Sequence, residues 1–172
     1  AYEVESYGGE LNAFTSFDYT CYYINSPQNE IITATDIIMD MVTNPLFSEA
    51  DLPPEKDVVF EEYRRSLDSP GQFDFMKLQG HAFKDAYSHP ILGNEETIKA
   101  FNRDQLLSFR EKFYNSTNCL LVVAGDLNNK NQIQTTSYDK KNYFNTIFCS
   151  FFKLRITRKW KWKSFIMFAY FS

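Results

Sequence analysis

Two periodicities organise the chain. Runs in which apolar and polar positions alternate predict strands over residues 10–16 and 19–25, the second rich in Tyr, Thr and Ile. Only the short Phe17-Asp18 connection separates them, so they are read as a hairpin. Apolar positions at helical spacing predict a helix over residues 29–42, with Ile32, Thr35/Asp36, Met39 and Val42 in one stripe. Ile31, Ile38 and Met41 widen that stripe into a face able to cover a sheet. Pro45 ends it, and residues 48–51 read as a short turn. Pro53-Pro54 fits the first turn of a helix running to about Leu67, which the Asp68-Ser69-Pro70-Gly71 cluster stops. Helices are expected over residues 72–87 and 102–113, with Asn102 as N-cap of the latter. The apolar run Cys119-Leu120-Leu121-Val122-Val123-Ala124 before Gly125 reads as a buried central strand. Residues 1–5 have the character of a helix interior, broken by Gly8-Gly9. Strands and helices are interspersed without a regular βαβ repeat, which makes the class α+β, with helices packed on a sheet.

Length and composition narrow the function classes. At 172 residues and 44% hydrophobic the chain can bury one sizeable core, which excludes disorder and a disulfide miniprotein. The longest apolar stretches, such as residues 164–172, fall short of the roughly 18 residues that span a bilayer, so no membrane span is expected. The start carries no initiator Met, basic segment or cleavage site, and reads as a truncation that leaves the compartment unassigned. Charge is strongly partitioned. Residues 1–127 hold 9 Lys+Arg against 21 Asp+Glu, net −12, while residues 128–172 hold 9 Lys+Arg against Asp139 alone, net +8. The acidic part disfavours nucleic acid and tolerates basic peptides. The basic-aromatic run at 155–163, containing Trp160 and Trp162, has the composition of a membrane-surface or single-strand nucleic-acid patch but lacks turn punctuation on which to build one. Its Lys, Asn, Ile, Phe and Tyr content is what AT-rich codons encode, so 128–172 is read as a frameshifted, read-through or non-coding stretch without a function of its own. Cys21, Cys119 and Cys149 are odd in number and widely spaced, giving neither a zinc knuckle nor a disulfide framework. The first two read as small buried hydrophobes.

The segment with most chemistry is Glu55-Lys56-Asp57-Val58-Val59-Phe60-Glu61-Glu62. Glu55 and Glu62 are two helical turns apart, so their carboxylates share a face that also carries Val58 and Val59, while Glu61 points elsewhere. Spacing alone favours surface decoration, because Glu is a good helix former. A face mixing acids with valines nevertheless suggests burial against a cation or metal.

Three strings together resemble a known family: Gly8-Gly9-Glu10-Leu11-Asn12-Ala13-Phe14-Thr15-Ser16-Phe17-Asp18-Tyr19-Thr20, then Glu55 to Glu62, then His89-Pro90-Ile91-Leu92-Gly93. Their order and content are similar to the insulinase/pitrilysin-like zinc metallopeptidases, the inverzincins, over residues 1–127. The resemblance implies a processing-peptidase-like metallohydrolase fold, α+β with helices on a mixed, largely antiparallel sheet, truncated before residue 1. It further implies a zinc-activated water that hydrolyses peptide bonds, Glu62 as the third zinc ligand, and Glu55 as an acid that supports the site from the same helix. The family's H-x-x-E-H helix, with two His ligands and a Glu general base, is absent; its second His is expected roughly 14 residues before Ala1. His81 and His89 both follow Glu62 and lack paired spacing, so neither is assigned as a ligand. Asn12, Ala13 and Phe14 match an edge strand to which a substrate peptide adds, with Phe14 beside a side-chain pocket. The plainer reading of that strand is an ordinary hairpin strand with Leu11 and Ala13 facing the core. A homologous second domain or partner subunit is implied. Two further readings stay open: a non-catalytic paralogue acting as a structural or substrate-presenting subunit, and a peptide-binding module that keeps the edge strand alone. The fragment by itself is expected to be inactive.

Overall fold

The computed structural model describes residues 1–115, 118–125, 145–150 and 163–171. All but the last residue of the basic-aromatic run, including both tryptophans, lies outside the described residues. The chain forms two compact units, Ala1–Pro45 with Lys112–Ser172, and Leu46–Glu111.

In the first unit, α1 (Tyr2–Ser6) ends where Gly8 takes φ +78°. The amide of Gly8 donates to the Glu5 carbonyl and that of Gly9 to the Val4 carbonyl, both at 2.9 Å. A Cβ on Gly9 would sit 2.7 Å from the Tyr7 ring and 2.9 Å from the Val4 carbonyl oxygen, so the glycine pair is what lets the chain turn into the next strand. That strand is β1 (Glu10–Thr15). It pairs antiparallel with β2 (Tyr19–Pro27), as the hairpin reading expects. Three further strands, β3 (Cys119–Gly125), β4 (Asn145–Ser150) and β5 (Lys163–Phe171), complete a sheet of order β1-β2-β5-β3-β4. Its ladders are antiparallel except for β3 with β4, giving the mixed, largely antiparallel sheet of an α+β fold. The expected central strand is interior, between β5 and β4. Both β4 and β5 come from the 128–172 stretch and join the sheet through backbone pairing.

One sheet face is covered by α2 (Ile31–Thr43), which follows a 3-10 turn at Gln28–Glu30. Val4, Ile24, Ala34, Ile38, Met39, Val42, Cys119, Leu121 and Val123 form the core. Full burial of a side chain such as Ile24, Ile38 or Val123 stabilises the unit by roughly 1.5–3 kcal/mol each. The buried stripe of α2 keeps most of the expected face and shifts only at its margins. Ala34, Thr35, Ile38, Met39 and Val42 face inward, whereas Asp36 and Met41 are exposed. Packing against a strand selects the side nearest Ile24, and Met41 falls on the flank. Desolvation raises the Asp36 carboxyl above its ordinary pKa. Cys21 and Cys119 are buried and free, as expected. Through β5 the register aligns Thr20 with Cys119, so Cys21 lies on the opposite sheet face and no disulfide can join them. Burial raises the Cys21 thiol and pushes that of Cys119 up to about 11.

The second unit is helical. Asp51 closes the Ser48 turn with a 3.2 Å bond, and α3 (Leu52–Asp68) starts with prolines in its first turn. Ser69 adopts extended geometry and separates it from α4 (Pro70–Ala82). The expected helix over residues 72–87 therefore starts earlier and stops five residues sooner. Phe83 is extended, and a 3-10 turn at Ala86–Ser88 follows, capped by the Asp85 side chain. The side-chain amide of Gln79, 6% exposed, donates to the carbonyls of Tyr87 and His89, holding that segment beside α4 instead of in line with it. α5 (Glu95–Ala100) was not anticipated, although Asn94 and Thr97 form a reciprocal capping box with 2.9 Å bonds in both directions. α6 (Arg103–Phe113) begins at the expected cap, where Asn102 Oδ1 accepts from the Gln105 amide at 2.9 Å. Among the described residues, no helix is long and apolar enough to cross a membrane.

Candidate functional site

The two groups of candidate residues fall in different units. Asn12, Ala13 and Phe14 are on β1, at one end of the strand order. The Ser16 amide donates to the Tyr19 carbonyl at 2.8 Å, and the register then runs Thr15 to Thr20, Phe14 to Cys21, Ala13 to Tyr22 and Asn12 to Tyr23. Antiparallel pairs alternate between bonded and non-bonded, so Leu11, Ala13 and Thr15 direct their N–H and C=O groups away from β2. Ala13 is exposed, and of the two residues expected to face the core only Leu11 packs against it. The Phe14 ring, 46% exposed, meets Tyr19 edge-on at 5.8 Å and Tyr23 at 6.4 Å, an aromatic shelf flanking the strand. Behind Ala13, the Tyr22 and Tyr114 hydroxyls are hydrogen-bonded at 2.9 Å. Tyr114 was missed because a contact spanning 92 positions leaves no local signal.

Glu55 and Glu62 lie on α3, both exposed. Val58 between them is 60% exposed, so the face mixing acids and valines is open to water instead of buried as its composition suggested. The other side of α3 packs. Lys56 Nζ donates to the Lys99 carbonyl at 3.0 Å, Arg64 lies 4.4 Å from the Phe60 ring centre, and Ser66 is buried. Lys56, Phe60 and Arg64 line a surface cavity of about 470 Å³ with Pro53, Asp57, Glu61, Ile98 and Lys99. Arg64 pairs with Glu61 at 2.9 Å. Lys99, by hydrogen bond and charge, holds the Glu95 carboxyl below the usual carboxylate range.

A zinc centre needs about three protein ligands converging on one point. Among the described residues no three His, Cys, Asp or Glu side chains do so. His81 is exposed on α4, its Nδ1 2.7 Å from the Lys77 carbonyl, and His89 contributes its backbone carbonyl to Gln79. Glu62 is thus a single carboxylate donor, and the described residues do not by themselves fit the ion.

Among the described residues β1 lies at one end of the sheet and α3 carries two exposed acids, within the α+β class that the sequence strings implied. The profile of the insulinase family, peptidase family M16, matches residues 1–95, and the chain belongs to that family. Curated relatives agree. It is 36% identical over 131 residues to an uncharacterized zinc protease of Rickettsia bellii, covering 76% of this chain and 32% of that protein. It is 36% identical over 121 residues to the uncharacterized zinc protease YmxG of Bacillus subtilis, 70% of this chain and 30% of that protein. The beta subunit of the mitochondrial-processing peptidase of Dictyostelium discoideum is 31% identical over 135 residues, 77% of this chain and 28% of that protein. The chain thus spans about a third of the length of the curated relatives it matches.

Proposed function

We propose that the chain is the substrate-strand and acid-helix portion of a zinc metalloendopeptidase, a hydrolase of peptide bonds. A peptide would pair with the outer side of β1 through the outward groups of Leu11, Ala13 and Thr15, with Asn12 alongside and Phe14 next to one of its side chains. Glu62 would contribute one carboxylate to zinc, and Glu55 would support the site from one helix face. The remaining ligands would come from outside these 172 residues, which hold only His81 and His89 and no His-x-x-Glu-His. A homologous second domain or partner subunit would face the peptide from the other side. The observation that carries this reading is the coincidence of the family match over residues 1–95 with an edge strand whose outward groups β2 does not use.

A chimera in which residues 1–127 replace the matched segment of YmxG tests it. We expect about one zinc per chain and measurable peptidase activity, both lost in Glu62→Gln. Glu55→Gln is expected to lower zinc affinity or activity about 10- to 100-fold, as loss of a supporting carboxylate does. Unchanged zinc content in Glu62→Gln would remove that residue from the site. A folded chimera that holds neither zinc nor activity would favour the non-catalytic paralogue.

A further inference from the structure

The outer edge of β1 is not uniformly open. The Ala13 amide, which the register directs away from β2, donates instead to Oδ1 of the preceding residue, Asn12, at 2.8 Å. Asn12 is exposed, and its own main-chain groups are turned toward Tyr23 of β2, so its side chain alone reaches round to the free edge. An unpaired edge is a template for pairing with any extended chain, and proteins cover such edges to prevent it. Here the cover is one amide oxygen, in the position a carbonyl of an added strand would take.

We infer that Asn12 is a self-capping latch on the edge strand: its Oδ1 competes with an incoming peptide carbonyl for the Ala13 amide, so a strand can add at this point only when the Asn12 side chain swings aside. This rests on the strand-addition reading of β1 proposed above. It assigns Asn12 a role against binding in the free chain, whereas a residue that merely contacts the peptide would act for it. The exchange is close to isoenergetic, one amide oxygen for another, so the latch shifts affinity without blocking it. Its loss should raise affinity by the net worth of one hydrogen bond, about three- to tenfold. Leu11 and Thr15 direct the same groups outward, and nothing comparable is donated to by their amides among the described hydrogen bonds. The middle of the edge is therefore the guarded position and its flanks are the sites of first contact.

The test uses the 172-residue chain and a fluorescein-labelled decapeptide of alternating threonine and valine, with binding read by fluorescence anisotropy and β1 amides by hydrogen exchange. Asn12→Ala is expected to lower the peptide Kd about fivefold and to speed exchange of the Ala13 amide about tenfold in the free chain. Asn12→Asp, which keeps the acceptor, should leave Kd unchanged or raised and Ala13 protected. An unchanged or higher Kd in Asn12→Ala, or unaltered exchange at Ala13, would overturn the latch. If saturating peptide protects none of the Leu11, Ala13 and Thr15 amides in either form, strand addition itself fails, an outcome distinct from a latch that fails while those amides become protected.

Discussion

Gln79→Leu removes a buried tether between α4 and the segment carrying His89. In the folded chain this side chain supplies two donors, to the Tyr87 and His89 carbonyls, and little of it meets water. The segment also makes local bonds: Tyr87 and Ser88 amides to Asp85 and the His89 amide to Ala86. Leucine fills a similar volume but donates nothing. Two hydrogen bonds at about 0.5–1.5 kcal/mol each set the loss, and burial of an apolar group returns up to about 1 kcal/mol, leaving a local cost of about 1–2 kcal/mol. Because the freed carbonyls sit on a partly exposed turn, water can satisfy them, and the cost should appear as local opening, not global unfolding. Hydrogen exchange of the Ser88 and His89 amides should accelerate about tenfold, while amides in the middle of α3 keep their rates. Unchanged exchange at Ser88 and His89 would refute the tether.

Three further outcomes follow from particular contacts. Gly93 has φ +71°, and a Cβ there would lie 2.7 Å from Thr97 Oγ1, an atom of the α5 capping box, so Gly93→Ala should cost about 2–3 kcal/mol in urea unfolding while Asn94→Ala costs about 1. Cys119 retains its proton in the fold up to about 11, whereas its ordinary value is 9.0; the unfolded chain therefore loses that proton first, and stability should fall by about 1.4 kcal/mol per pH unit from pH 9 to 11. Under reducing conditions the urea midpoints of wild type and Cys119→Ala should converge across that window, and parallel curves would contradict the burial-driven shift. Glu62→Leu should change the stability of this chain by no more than about 0.5 kcal/mol, since the carboxylate is exposed; a large loss by thermal unfolding would reveal an internal partner.

What could be read before the fold was known divides by the range of the interaction. The hairpin, α2, α3 with its prolines, the Asn102 cap and the β3 strand all announce themselves within a dozen residues, through alternation, helical spacing or a capping side chain. The end of the helix expected at Tyr87 did not, because it depends on Gln79 reaching forward to carbonyls eight and ten positions on. α5 was legible in principle, as Asn94 and Thr97 carry the capping spacing, but six residues give too short a stripe to register as periodicity. The order of the sheet, with β5 between β2 and β3, and the Tyr22–Tyr114 bond join positions far apart in the chain and leave no local trace. For the site, the strings around Asn12 and Glu62 pointed to the family, while on the α3 face spacing favours exposure, composition favours burial, and the fold leaves the face exposed. Valines beside acids suggested an inward face, and the aromatic side with Phe60 and Tyr63 is the one that packs.

That solvated face carries a physical constraint of its own. Glu55, Val58, Val59 and Glu62 are now jointly solvated, a state that leaves apolar surface wet but keeps two carboxylates hydrated. Covering the valines with an apolar segment would gain about 25 cal/mol per Å² of apolar area and would strip water from both acids at a cost of several kcal/mol. The two terms nearly cancel unless the covering surface brings positive charge. A purely apolar neighbour would therefore bind this face poorly, whereas one that carries a cation or positions a divalent ion over Glu62 would recover both terms together. On the proposed reading, strand pairing at β1 needs only backbone groups that these residues already possess, while chemistry at Glu62 needs charge brought from outside them. Peptide binding and peptide hydrolysis should then be separable, with the first present in these residues and the second conferred only where the missing ligands are supplied from outside them.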